Sequence, residues 1–226
     1  MRCKRAVIDS LNLISPKIEE LFQDRAHYNI EPVKTIAVFT PQRWKEEFGK
    51  PLTRNIVEAQ ILHTDTGLIL PLKRYAARPD RTVIEFAGIY AYNERSRLLI
   101  GLLERLESRL RDCIVSRIDV AIDFKGKVPL KVYKTLSRSG RKPFAYKSTT
   151  YYKTQKEKKS NSRLNIKIYD KGRKEKLNRE LYRLEFVFQG SYFQGLTLKE
   201  LESYYPKMQK TIKNFTGVDV CIMSPF

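Results

Sequence analysis

Three segments of this chain alternate apolar and polar residues with a period of two, and that pattern constrains the fold more than any other feature. In "SRIDVAIDF", residues 116 to 124, Ile118, Val120, Ile122 and Phe124 alternate with Arg117, Asp119, Ala121 and Asp123. In "RLNIKIYDK", Leu164, Ile166 and Ile168 fall on one side, and Asn165, Lys167, Tyr169 and Lys171 on the other. In "LYRLEFVFQ", Tyr182, Leu184, Phe186 and Phe188 oppose Arg183, Glu185, Val187 and Gln189. Period two is the signature of a pleated strand with one buried face. If the three share a sheet, its apolar side packs on helices. Its polar side then gathers Arg117, Asp119, Asp123, Lys167, Tyr169, Lys171, Arg183 and Glu185.

Further strands are expected at 33 to 40, 56 to 63, 67 to 73, 82 to 88 and 144 to 153. "HTDTG" between the second and third of these is rich in turn formers. Leu99, Leu102, Leu103, Leu106 and Leu110 recur at helical spacing after Asn93, a suitable N-cap. A short helix is expected near 129 to 138. Thr197 and Glu200 have capping-box spacing before a helical stripe of Leu201, Tyr205, Met208, Ile212 and Phe215, interrupted at Pro206. The expected fold is α+β, with a mostly antiparallel central sheet covered by helices on one face. A chain of 226 residues suits a single domain. We read it as a core from about residue 80 to 226 with an N-terminal extension, 1 to 78.

The net charge of +19 points to a polyanionic partner, with nucleic acid ahead of a membrane surface. No long apolar run or detached basic amphipathic tail directs the chain to a membrane. Cys3, Cys113 and Cys221 are odd in number and far apart, which argues against a disulfide framework and for a reducing, cytoplasmic setting. Lysines and arginines crowd around the 163 to 170 strand, in "YYKTQKEKKSNSR" and "DKGRKEKLNRE".

In such a chain the polar face has chemical meaning. Asp119, Asp123 and Glu185 are hard oxygen donors, suited to Mg2+, Mn2+ or Ca2+ rather than zinc. A tyrosine hydroxyl is a covalent nucleophile, but with a pKa near 10 it needs a cation, metal or base beside it. Lys167 and Lys171, on either side of Tyr169, are placed to supply that field. The same residues also read as ion pairs on a solvent-facing sheet, Arg117 with Asp119 or Asp123 and Arg183 with Glu185.

"RIDVAIDF", "IKIYDKG" and "YRLEFVF", in that order, resemble the replication initiation factor family. Its members are rolling-circle initiators of plasmids and filamentous phages, with related conjugative nickases. "TVIEFAGIYAY" and the leucine-rich helix after it resemble the segment preceding the first motif, so the likeness covers roughly residues 80 to 190. The resemblance implies a relaxase-like nickase variant in which a tyrosine attacks one DNA strand, leaving a 5′-phosphotyrosyl link and a free 3′-hydroxyl. It implies Tyr169 as nucleophile, Asp119, Asp123 and Glu185 around Mg2+ or Mn2+, and phosphate contacts from Arg117, Arg183, Lys167 and Lys171. Lys153, Arg163, Arg173 and Lys174 extend the expected DNA-binding set.

The chain has "TTYYKTQKEKK" where the family carries a tyrosine followed by Gly-Ser, so Tyr151 and Tyr152 stay open as alternative nucleophiles. The implied partner is origin DNA, single-stranded or as a hairpin. Lacking a GxxxxGK[ST] loop, the chain would depend on a separate helicase, and on a host polymerase for synthesis. The oligomeric state is left open. The competing reading is a non-catalytic DNA- or RNA-binding protein that uses the same basic, tyrosine-bearing sheet.

Overall fold

The computed structural model describes residues 3–15, 45–46, 56–63, 69–75, 78–89, 94–154 and 163–225. The strand expected at 33 to 40 lies outside them. The fold is α+β with a large, mostly antiparallel sheet, as the alternation required. Two compact units divide the chain. One comprises Met1–Ser10, Arg117–Leu196 and Glu200–Pro225; the other comprises Leu11–Ser116, Thr197–Lys199 and Phe226. Residues 3 to 10 fall in the same unit as the motif-bearing strands.

In the unit that carries the motifs, the strand order is β10, β1, β5, β9, β8, β7, β6. These are β1 (Lys4–Ser15), which enters this unit with its residues up to Ser10, β5 (Ile114–Lys125), which enters it from Arg117, and β6 (Lys142–Tyr146), β7 (Thr149–Lys153), β8 (Leu164–Asp170), β9 (Leu181–Gln189) and β10 (Val220–Met223). Every pair from β5 to β6 is antiparallel, whereas β10 runs parallel to β1. Ile118, Val120, Ile122, Ile166, Leu184, Phe186 and Phe188 are buried on the apolar face. The helices α2 (Leu130–Arg138) and α4 (Tyr205–Thr216) pack on each other. Tyr133 of α2 meets Tyr152 with ring centroids 6.4 Å apart. Since Tyr152 is registered with Ile166, α2 covers the apolar face.

Pro206 occupies the first turn of α4 rather than interrupting it, where its missing N–H costs nothing. A 3-10 helix, Leu198–Tyr204, precedes it. Gly217 closes the helix with φ at 67°, the left-handed conformation that glycine adopts without strain.

Two expectations change. Residues 144 to 153 form a hairpin, not one strand, turning at Lys147 and Ser148 with Lys147 at φ 52°. Cys3 and Cys221 are joined in a disulfide, their Cα atoms 5.9 Å apart. Parallel pairing aligns Arg5 with Cys221 and Lys4 with Val220, which brings these distant thiols side by side. Sequence spacing alone argued the other way.

In the other unit, β2 (Ile56–His63), β3 (Ile69–Tyr75) and β4 (Arg78–Ala87) form an antiparallel meander. Helix α1 (Glu94–Leu110) buries all five of its stripe leucines, as the spacing required.

Candidate functional site

Cross-strand register sorts the polar face into rows, because residues paired across a sheet point to the same side. One row runs Ala121, Glu185, Lys167, Tyr151, Phe144 from β5 to β6. The next runs Asp123, Arg183, Tyr169, Thr149, Tyr146. Asp119 sits opposite Val187, diagonal to Glu185. All of these positions lie in the motif-bearing unit.

The Tyr169 hydroxyl donates to Glu185 Oε2 at 2.8 Å. Lys167 Nζ stands 2.5 Å from Glu185 Oε1 and 3.9 Å from Asp119 Oδ2, bridging the two carboxylates. Arg117 holds Asp119 through two hydrogen bonds of 2.7 Å each, the fork-to-carboxylate geometry of strong arginine pairs. Burial pushes Asp119 up to about 6, with Arg117 opposing and the neighbouring Glu185 adding to the rise. Burial also disfavours the charged form of Glu185, but Lys167, with hydrogen bonds from Asp119, Lys167 and Tyr169, outweighs it and holds that carboxyl low. Of these two neighbouring carboxyls, Asp119 is thus the one raised and Glu185 the one held low.

The second cluster centres on Arg183, whose side chain is 0% exposed. Its Nε and Nη2 donate to Asp123 at 2.7 and 3.0 Å, and its Nη1 lies 2.7 Å from Asp9 Oδ1. Burial and the Asp9 charge raise Asp123 to about 6, against Lys171 and Arg179. Arg183 therefore cannot hold a DNA phosphate as expected; it binds three strands of the protein together. Asp9 on β1 was not anticipated. Its one signal was a lone acid inside the apolar run "AVIDSLNL".

Lys171 departs from the strand-face reading as well. Strand β8 stops at Asp170, whose carboxylate caps α3 (Lys171–Lys174) by accepting from the Arg173 N–H at 2.8 Å. Lys171 turns into that helix and pairs with Glu175 at 2.8 Å. Gly172 explains the glycine of "YDKG": a Cβ there would stand 2.4 Å from the Arg179 carbonyl oxygen and 3.1 Å from the Leu181 nitrogen.

Nor does the local field lower the Tyr169 pKa. Burial raises it, and the charges of Glu185, Asp9 and Asp123 raise it further. The residue is 7% exposed, and Lys174 Nζ lies 5.2 Å from its ring centroid. Tyr152 is on the helix-covered side, away from this site, whereas Tyr151 shares the row of Lys167 and Glu185. Lys153 lies 5.8 Å from the Tyr151 ring, and Arg163, Arg173 and Lys174 are exposed.

The carboxylates have the donor chemistry for Mg2+ or Mn2+, but their arrangement does not fit a metal centre. Asp119 is taken by Arg117, Glu185 by Lys167 and Tyr169, and Asp123 by Arg183. Among the described residues no three His, Cys, Asp or Glu side chains converge as ligands.

No protein family matches the chain, and no curated protein does. A solved structure of a rolling circle replication initiator protein from Geobacillus stearothermophilus is similar at a TM-score of 0.40 and 15% identity. The likeness covers 82% of this chain and 74% of that one. No helix among the described residues is long and apolar enough to cross a membrane.

Proposed function

We propose that this chain nicks and rejoins one strand of DNA through Tyr169, as a rolling-circle replication initiator does. The observation that carries the reading is the hydrogen bond from Tyr169 to the buried Glu185, whose carboxyl Lys167 helps hold low. A buried phenol is inert until its proton has somewhere to go, and Glu185 is placed to accept it as the bond to phosphorus forms. The sequence resemblance, which puts Tyr169 in the nucleophile's motif, supports the same assignment.

In the proposed step Tyr169 Oη attacks the phosphorus and the bond from phosphorus to the 3′-oxygen breaks. Glu185 receives the phenol proton and the departing 3′-oxygen takes a proton from solvent to become a hydroxyl. One phosphodiester is exchanged for another, so reversal rejoins the strand. Lys167 stands where charge develops on the phosphoryl oxygens. Movement of the exposed Lys174 side chain opens the ring to the DNA. A divalent ion would have to displace Lys167 and Arg117 from Asp119 and Glu185.

A second reading, a DNA- or RNA-binding protein without catalysis, is favoured by the burial and raised pKa of Tyr169. Incubation with origin-bearing single-stranded or hairpin DNA, with Mg2+, Mn2+ or a chelator, separates the two. A covalent protein–DNA adduct that is lost in Tyr169→Phe is the expected result. Tight, salt-sensitive binding with no adduct under any condition would favour the binder.

A further inference from the structure

At the outer edge of the same sheet face lies a feature that the nicking chemistry does not use. Strand β6 is exposed along its whole length, with Phe144 at 50% and Tyr146 at 57% exposure. Register puts Phe144 beside Tyr151, and Tyr146 beside Thr149, in the two rows that lead to Lys167 and Tyr169. An aromatic surface is thus displayed on the side where Tyr169 lies. Exposed aromatics of this size on a soluble sheet call for a ligand.

Charge indicates which ligand. Residues 141 to 154, "RKPFAYKSTTYYKT", contain no aspartate or glutamate. Lys142 is paired directly across from Lys153. Like charges opposite each other destabilise a hairpin, unless an anion lies between them. Lys147 adds a third ammonium at the hairpin turn, 5.6 Å from the Tyr146 ring. Pro143 sits on this edge strand and has no N–H to offer another strand, which disfavours edge-to-edge pairing with a second copy.

We infer that the β6–β7 hairpin is a stacking platform for single-stranded DNA. Bases lie on Phe144, Tyr146 and Tyr151, and the backbone runs past Lys142, Lys147 and Lys153. Bases in a duplex cannot expose their faces in this way, so the platform selects an unpaired strand and leads it along the rows toward Tyr169. The inference rests on the nucleic-acid partner proposed above but not on the cleavage step.

The test measures affinity of the full chain for a single-stranded thymidine oligonucleotide, an abasic oligonucleotide of equal length, and a duplex. Both Phe144 and Tyr146 are exposed, and retained thermal melting establishes that Phe144→Ala/Tyr146→Ala is folded. Each stack is worth roughly ten-fold, so the double variant should bind the thymidine strand about 100-fold more weakly. Its affinity for the abasic strand should not change, and Phe144→Tyr/Tyr146→Phe should bind like the parent. Unchanged thymidine binding, or an equal loss on the abasic strand, would overturn the platform. So would a shift from dimer to monomer without loss of DNA affinity, which would assign the patch to self-association.

Adduct formation is scored separately with Tyr169→Phe. A platform variant that binds weakly, in a protein that forms no adduct, sustains the platform and sinks the nickase. Unchanged binding with a normal adduct does the reverse.

Discussion

Glu185 and Tyr169 sit on neighbouring strands, one row apart, and are joined by a hydrogen bond of 2.8 Å. Removing either partner should therefore separate chemistry from folding. Tyr169→Phe keeps the ring and should abolish the adduct while lowering stability by about 1.5–3 kcal/mol, the worth of a hydrogen bond to a charged group. Glu185→Gln keeps the shape but not the base, and should slow adduct formation by about 10²–10⁴-fold. Quench-flow gels and urea titrations check the two quantities. An active Tyr169→Phe would move the nucleophile elsewhere, with Tyr151 next in line because it shares this face.

Arg183 is the residue whose loss the fold should tolerate least. Its guanidinium is fully buried between Asp9 and Asp123, so Arg183→Met leaves two carboxylates facing each other without a cation. Breaking a buried pair in this way costs about 3–5 kcal/mol. Adding Asp123→Asn to Arg183→Met should restore part of that loss. A double-mutant cycle by chemical denaturation measures the coupling, and additivity would show that the cluster does not act as a unit.

Stability should depend on pH in a direction opposite to that of ordinary salt-bridged acids. Asp119 and Asp123 are raised from the usual 3.8 to about 6, so between these values the folded chain holds more protons than the unfolded one. Stability is then highest toward the acid side of this window, falls as pH rises through about 6, and levels off above it. Glu185, held low, acts the other way and loses its contribution only as pH drops through its folded pKa. Denaturation midpoints across the window should show the fall, and Asp123→Asn should make it shallower. A rise over the same range would mean that the arginines, not burial, dominate the two aspartates.

Gly172→Ala tests close backbone approach rather than charge. The added methyl would meet the Arg179 carbonyl oxygen at 2.4 Å, a backbone atom that cannot swing aside. The substitution should destabilise the chain by about 1–3 kcal/mol, the usual range for overpacking, and lower the melting temperature. Because the affected turn follows Tyr169 directly, adduct formation should fall as well. A neutral result would show that the loop before β9 can move.

How much of this could be read from the sequence follows from what a period of two encodes. Alternation in "SRIDVAIDF", "RLNIKIYDK" and "LYRLEFVFQ" assigned faces correctly, since Ile118, Ile166 and Phe186 are buried opposite Asp119, Lys167 and Glu185. Alternation says nothing about rows. Whether Asp123 meets Glu185 or Arg183 depends on register, and register paired it with the arginine. A metal trio on paper thus became two cation-centred clusters. Asp9 and the Cys3–Cys221 disulfide were hidden for a related reason, because they depend on β1 pairing with strands distant in sequence. The hairpin at Lys147 was missed because a lysine at positive φ leaves no turn signature of the glycine or asparagine kind.

The rows have one more consequence. Tyr146 and Tyr169 occupy one row two strands apart, a span of about 10 Å at the usual strand spacing. A slip of one residue in β7 would turn Tyr151 toward the helices and bring Tyr152 out in its place, with every side chain still present. Grip and cut would then fall out of step. If a strand is threaded and cut as proposed, the hydrogen-bond ladder is the gauge that sets where along it the tyrosine strikes.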